Sequence, residues 1–103
     1  MGPRMTREEA IAEALAGLRA EYEAELPRLL TTLRDAVARA AAQPESEARK
    51  EAAMLAHRIH GTAGSHGFAS LGTKAAEIER RLGDADWDAE AVLALAQGLD
   101  VEP

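Results

Sequence analysis

Apolar side chains recur at steps of three and four residues along almost the whole chain, and this spacing constrains the fold more than any other feature. An α-helix has about 3.6 residues per turn, so such steps place the apolar side chains on one helical face. Alanine is abundant, aromatic residues make up 3% of the chain, and no alternating strand pattern is found. The sequence therefore predicts an all-α fold.

The first helix is predicted over residues 7–25, because Thr6 and Glu9 have the spacing of a capping box at its start. Pro27 then interrupts the helical pattern. Proline lacks a backbone N–H and disfavours the helical conformation of the residue before it, so the chain either kinks there or begins a new helix. The apolar stripe of this first helix consists of Ile11, Leu15, Leu18, Tyr22 and Leu26.

Four further helices are predicted after this first one, each bounded by a turn signal such as proline, glycine or aspartate. The second helix runs from Pro27 to about residue 42, and the third begins after Ser46 as N-cap and ends at Ala63 or Gly64. The fourth helix covers residues 68–82. The fifth begins at Trp87 or Asp88, is capped by Asp86 or Asp88, and ends at Gln97.

Short connections between these helices predict antiparallel neighbours. The expected architecture is an antiparallel up-down four-helix bundle with an additional N-terminal helix that packs across one end. A chain of 103 residues is expected to form one domain. We place this domain at residues 6–99, with flexible ends at 1–5 and 100–103.

Charge and composition exclude several classes of function. The net charge of −6 argues against nucleic acid as a partner. The chain has no cysteine, so disulfides and thiolate metal sites are excluded. No apolar run approaches the roughly 20 residues that span a bilayer, and no signal peptide is recognised at the N-terminus. We therefore expect no membrane association and a cytoplasmic location.

The three histidines cluster within the third predicted helix and the turn that follows it. His57 lies two residues from both Leu55 and Ile59, which belong to the apolar stripe. At about 100° per residue, its imidazole is about 200° away from that stripe and is expected in solvent. Gly61 and Gly64 follow on the same exposed face and leave a bare patch that another molecule can approach closely.

The run His57-x-Ile59-His60-Gly61-x-Ala63-Gly64-x-x-Gly67-Phe68 resembles the signature of histidine-containing phosphotransfer (HPt) domains, and the similarity continues through Leu71 and Ile78–Glu79. The resemblance implies that His57 accepts a phosphoryl group. It further implies exchange with the aspartate of a receiver domain, in a response regulator or a hybrid histidine kinase. One position departs from the signature, since the usual lysine three residues after the acceptor is His60 here.

The resemblance also implies roles for neighbouring side chains. In the family, a glutamate or glutamine 22 residues after the acceptor holds one ring nitrogen, and this position is Glu79 here. The family's lysine helps to balance the phosphate charge, a role to which His60, Arg58 and Lys74 are expected to contribute. The docking surface for the receiver is expected on the exposed helical face around the two glycines.

No glycine-rich nucleotide loop is present, so the protein is expected to be a carrier without kinase activity of its own. No cofactor is expected, and the Mg²⁺ would belong to the receiver partner. Two alternatives stay open. One is a phosphorylation-inactive adaptor, suggested by His60. The other is a histidine-based metal-binding bundle, since His57 and His60 lie one turn apart. No third protein ligand is evident from the sequence, although Glu79 or His66 could lie near. We assign no metal ligand, and His66 is expected to be a loop residue without a chemical role.

Overall fold

The computed structural model describes residues 4–44 and 47–101, and every regular element within them is helical. The all-α prediction is therefore confirmed for this part of the chain. A short 3₁₀ turn, Gly64–His66, joins the second helix to the third. The four α-helices are α1 (Arg7–Ala42), α2 (Ala48–Ala63), α3 (Ala69–Leu82) and α4 (Ala89–Gln97).

The helices form a four-helix bundle in which chain neighbours are also spatial neighbours. α1 packs against α2 and α4, and α3 packs against the same two helices. The core contains no buried polar or charged side chain among the described residues. Burial stabilises the fold by about 1.5–3 kcal/mol for each large apolar side chain. The largest fully buried side chains are Leu26, Leu30, Leu33, Val37, Ile59, Phe68, Leu71, Ile78, Leu82, Val92 and Leu99.

The additional N-terminal helix is not confirmed, because α1 continues without interruption through Pro27. Pro27 and Glu23 are both exposed, so water can satisfy the Glu23 carbonyl that the proline leaves without an N–H partner. Leu26 and Leu30 on either side of the proline are buried in the same core. The packing of these two leucines therefore keeps α1 helical at Pro27, although proline disfavours the helical conformation.

The N-terminal part of α1 does not pack across an end of the bundle, so that prediction was wrong. Ile11, Leu15 and Leu18 are all exposed, although their spacing predicted a buried stripe. A helix of 36 residues is about 54 Å long, and the molecule extends 64 Å along its longest axis. The contacts of α1 with the bundle include Arg19, whose guanidinium lies 5.5 Å from the Phe68 ring centroid, and Tyr22, whose hydroxyl lies 2.8 Å from Thr62 Oγ1.

The helix caps agree with the sequence where they can be compared. Thr6 caps α1, since its hydroxyl accepts a hydrogen bond of 3.1 Å from the backbone N–H of Glu9. Asp88, not Asp86, caps α4 by accepting from two backbone N–H groups of the first turn. The predicted cap Ser46 lies outside the described residues.

The predicted flexible ends lie partly outside the described residues, which begin at 4 and end at 101. Within them, Leu99 is buried and Val101 packs against the core. The Arg34 guanidinium also donates hydrogen bonds to the carbonyls of Ala96 and Leu99. These contacts attach the segment after α4 to α1 as far as residue 101.

The turn after α2 depends on a single glycine in the left-handed conformation. Gly67 has a φ of +88°, whereas Gly64 has a φ of −60° and continues the helical path. Of the two glycines that flank this turn, Gly67 is therefore the one that takes the left-handed conformation. A Cβ at this position would also lie 3.0 Å from Arg19 Cζ. The turn delivers Phe68 into the core, where its backbone N–H donates to the Ala63 carbonyl at 2.8 Å.

We predict that Gly67→Ala lowers the free energy of unfolding by about 1–2 kcal/mol, because an L-residue is strained in the left-handed region. Gly61→Ala is the matched control, since a Cβ there meets nothing within 4 Å. Alanine within a helix is favoured over glycine, so this control is expected to raise the stability by about 0.5–1 kcal/mol. Urea unfolding measures the free energy of unfolding of both variants. Equal changes in the two variants would contradict the special role of Gly67 in the turn.

An exposed ion-pair cluster lies near the C-terminus of α3. Glu77 Oε1 is 2.6 Å from Arg80 Nη2 and 2.7 Å from Arg81 Nε. The hydrogen bonds from Arg80 and then Arg81 lower the pKa of Glu77 from 4.5 to about 2. Because the folded-state pKa is depressed, this stabilisation is present above the unfolded pKa and is lost as the pH falls through the folded one.

We therefore predict that Glu77→Gln destabilises the protein near neutral pH, and that this difference from the wild type disappears near pH 2. Urea unfolding across this pH range measures both variants. Glu23→Gln serves as the control, because Glu23 is exposed and forms no ion pair within residues 4–44 and 47–101. A difference for Glu77→Gln that is independent of pH would disprove the role of the ion pairs.

Candidate functional site

His57 lies on the solvent-facing side of α2, as the helical periodicity predicts. Its side chain is 71% exposed, while the neighbouring Ala56 and Ile59 are buried in the core. The packing of these apolar neighbours fixes the rotation of α2 about its axis. The imidazole is therefore presented to solvent by a rigid element, where another molecule can reach it.

The close approach of α2 and α3 places Glu79 beside His57. Gly72 on α3 is buried, and a Cβ there would lie 3.4 Å from Gly64 N and 3.6 Å from the His60 carbonyl oxygen. These are ordinary van der Waals distances, so an alanine would fit there, but a longer side chain directed at this backbone would have no room. Gly72 was not among the predicted site residues, although a glycine within a helical pattern costs about 1 kcal/mol relative to alanine and so points to a packing requirement.

One carboxylate holds two imidazoles in this site. Glu79 Oε2 lies 2.7 Å from His57 Nδ1, and Glu79 Oε1 lies 3.0 Å from His60 Nδ1. Partial burial alone would raise the pKa of Glu79, but the hydrogen bonds from His60 and His57 together outweigh it, so the pKa lies below its ordinary value. Glu79 is therefore ionised near neutral pH and accepts from both rings.

This arrangement determines which nitrogen of His57 is free. A neutral imidazole has one N–H donor and one nitrogen with a lone pair. Since Nδ1 donates to Glu79, the lone pair is on Nε2 of a largely exposed ring. Within the part of the chain that the structure describes, Nε2 has no hydrogen-bond partner. The site therefore offers an oriented nitrogen nucleophile to solvent.

The surface around His57 is an open groove with an apolar wall. Ala53, Met54 and Arg58 line this groove together with His57 and Glu79. Met54 is the most exposed large apolar side chain of the described residues. Met54 was not among the predicted site residues, although its position outside the apolar stripe of α2 already indicated an exposed apolar side chain. A second groove on the other side of Met54 is lined by Thr32, Arg39, Glu51, Leu55 and Arg58.

The remaining predicted site residues are placed differently. Arg58 lies in the groove with His57 and forms no ion pair within residues 4–44 and 47–101. Lys74 is exposed on α3 but lines neither groove, so the structure does not bring it to the imidazole. Gly61 and Gly64 are exposed, and a Cβ at either would meet nothing within 4 Å.

His66 lies in the 3₁₀ turn that follows α2 and has a structural role. Its ring stacks on Tyr22, with centroids 4.4 Å apart and planes 19° from parallel. Its Nδ1 lies 2.7 Å from the Thr62 carbonyl oxygen, to which it donates. His66 therefore fastens α1 to the end of α2, a role that the sequence did not indicate.

The model of the Hpt domain family matches residues 17–101. The chain belongs to the Hpt domain family. This membership confirms the resemblance and implies phosphotransfer in two-component signalling, in which Hpt domains typically interact with receiver domains. Searches of curated proteins and of solved structures gave no match. No helix of this Hpt domain is long and apolar enough to cross a membrane, as far as the described residues extend.

We predict that neutral His57 and His60 carry their proton on Nδ1, because Glu79 accepts from that atom of each ring. Glu79→Ala should move both rings toward the Nε2–H form that histidine favours in water. Ring ¹⁵N chemical shifts measure the tautomers. His66 is an internal control, since its Nδ1 donates to a backbone carbonyl and should not change. Unchanged tautomers of His57 and His60 in the variant would contradict the geometry.

Proposed function

We propose that this Hpt domain carries a phosphoryl group on His57 and exchanges it with the aspartate of a receiver domain. The receiver belongs to a response regulator or a hybrid histidine kinase. The observation that carries the proposal is the 2.7 Å contact between Nδ1 of the exposed His57 ring and the ionised Glu79. A phosphoryl carrier needs such an accessible ring, with one nitrogen held and the other free.

The transfer follows from the positions of the two ring nitrogens. The Nε2 lone pair attacks the phosphorus of the receiver's aspartyl phosphate. The new P–N bond forms as the P–O bond to the aspartate breaks, and the aspartate leaves as a carboxylate. The ring thereby becomes positively charged while its Nδ1–H still donates to Glu79. The adjacent carboxylate stabilises that charge, and the reverse reaction returns the phosphoryl group.

His60 affects how the phosphate charge is balanced. A neutral His60 uses its Nδ1–H for Glu79, so that proton is not available to the phosphoryl group. Arg58 is the cation that lies in the groove with His57, and we assign it the larger part of this role. Lys74, which lies outside the groove, contributes through longer-range attraction.

The docking surface consists of the His57 groove, the exposed Met54 and the bare patch at Gly61 and Gly64. Met54 supplies apolar area and its flexible side chain adapts to a partner, while the glycines let the receiver's active site approach closely. A small, transient interface is expected from such a surface. The Mg²⁺ and the carboxylate cluster that binds it belong to the receiver. We propose the cytoplasm as the site of exchange.

The direct test is incubation of the protein with a radiolabelled phosphorylated receiver. The wild type should gain an acid-labile, base-stable label, as expected for a phosphoramidate, and His57→Gln should gain none. His66→Gln is the matched control, because it removes a histidine outside the site. A receiver that keeps its label in the presence of the folded wild type would contradict the carrier and leave the phosphorylation-inactive adaptor.

Glu79→Ala removes the acceptor of the His57 Nδ1–H and tests its role in the same assay. A hydrogen bond to a charged group contributes about 1.5–3 kcal/mol, which corresponds to a loss of about 10- to 100-fold in the transfer rate. Circular dichroism confirms that the variant is folded. A rate equal to that of the wild type would show that Glu79 does not assist the reaction.

A further inference from the structure

We propose that His57, His60 and Glu79 form a binding site for a divalent transition-metal ion, and that the bound ion prevents His57 from accepting a phosphoryl group. One ligand atom from each of the three residues lies within 4.8 Å of the other two. The metal site stands on this geometry alone. The inhibitory effect rests on the proposed function of His57.

The donor set selects the class of ion. Two imidazole nitrogens and one carboxylate oxygen suit Zn²⁺, Ni²⁺, Cu²⁺ or Fe²⁺. Mg²⁺ prefers octahedral oxygen ligands and is therefore not expected to bind. The exposed rings leave the solvent side of the site open, so water can complete the coordination of the ion. The probe of choice is Zn²⁺, which accepts three protein ligands and a water.

Glu79 makes one contact more than is needed to orient His57. One oxygen of Glu79 is sufficient to hold the His57 ring, yet the second oxygen faces His60 Nδ1 at 3.0 Å. The two ring planes are 86° apart, with centroids 6.2 Å from each other. Two Nδ1 atoms on adjacent turns of α2 are thus directed at one carboxylate from α3. A metal ion that replaced the two hydrogen-bonded protons would find its ligands already close together.

His60 supplies the second imidazole of this site. The signature that the sequence resembles has a lysine at this position, and a charged ammonium group has no lone pair for a metal. Replacement by histidine adds the nitrogen that completes the set with His57 and Glu79. The backbone that carries the carboxylate is held in place, because the adjacent Ile78 is fully buried.

Metal binding inhibits transfer through the tautomer of His57. An ion on Nδ1 uses the lone pair of that nitrogen, so the proton of the neutral ring lies on Nε2. Nε2 then has no lone pair to attack phosphorus. The ion also takes the Glu79 oxygens that would stabilise the charged ring. His57 with the ion bound at Nδ1 therefore cannot accept a phosphoryl group on Nε2.

Isothermal titration calorimetry of the full chain with Zn²⁺ tests the site. The wild type should bind one Zn²⁺ per chain, and His60→Gln, His60→Lys, His57→Gln and Glu79→Gln should each bind at least about tenfold more weakly. His66→Gln should bind like the wild type, and Mg²⁺ should not compete. Circular dichroism confirms that each variant is folded. Wild-type affinity in His60→Gln, or loss of binding in His66→Gln, would overturn the site.

The phosphotransfer assay with and without Zn²⁺ tests the inhibition. Label transfer to the wild type should fall over the same Zn²⁺ range as binding and return when the ion is chelated. For His60→Lys, which lacks the proposed site, the ratio of transfer rates with and without Zn²⁺ should stay near one. A change in this ratio would instead measure the effect of Zn²⁺ on the receiver. Unchanged transfer to the Zn²⁺-loaded wild type would overturn the inhibition. If the metal-free wild type takes no label, the proposed function fails, while calorimetry still decides the metal site.

Discussion

The close packing of α2 against α3 is the constraint on which the site depends. Gly72 permits it, because a Cβ there would already touch the backbone at Gly64 and His60, which leaves no room for a longer side chain. At this separation, the carboxylate of Glu79 reaches the rings on the neighbouring helix. The orientation of His57 is thus a consequence of how two helices pack, and the chemistry of the exposed face is set by the core beneath it.

The Glu79 carboxylate links two possible states of the same imidazole. As an acceptor from Nδ1 it leaves the Nε2 lone pair of His57 free, which is the state that phosphoryl transfer needs. As a metal ligand together with His60 it would favour the opposite tautomer. Both states use the same atoms, so the proposed metal binding and the proposed phosphoryl transfer compete for one imidazole.

The long α1 shows where sequence periodicity stops being informative. The stripe that includes Ile11 and Leu15 has the spacing of a buried face, yet both side chains are exposed. Periodicity predicts which side of a helix is apolar, but burial also requires a second element that reaches it. At Pro27 the local preference predicted a kink or a break, but α1 is continuous there. The packing of buried leucines on both sides of the proline outweighs its low helix propensity.

The sequence by itself determined the helical class, the N-cap at Thr6, a glycine-containing turn after the helix that carries His57, and the solvent exposure of His57. These features depend on local spacing and backbone preference, which are properties of neighbouring residues. Only the tertiary structure decided that α1 is continuous, that Glu79 faces two histidines at once, and that Lys74 lies outside the groove. Such facts depend on the distance and rotation between separate helices, which are set by the packing of the whole core.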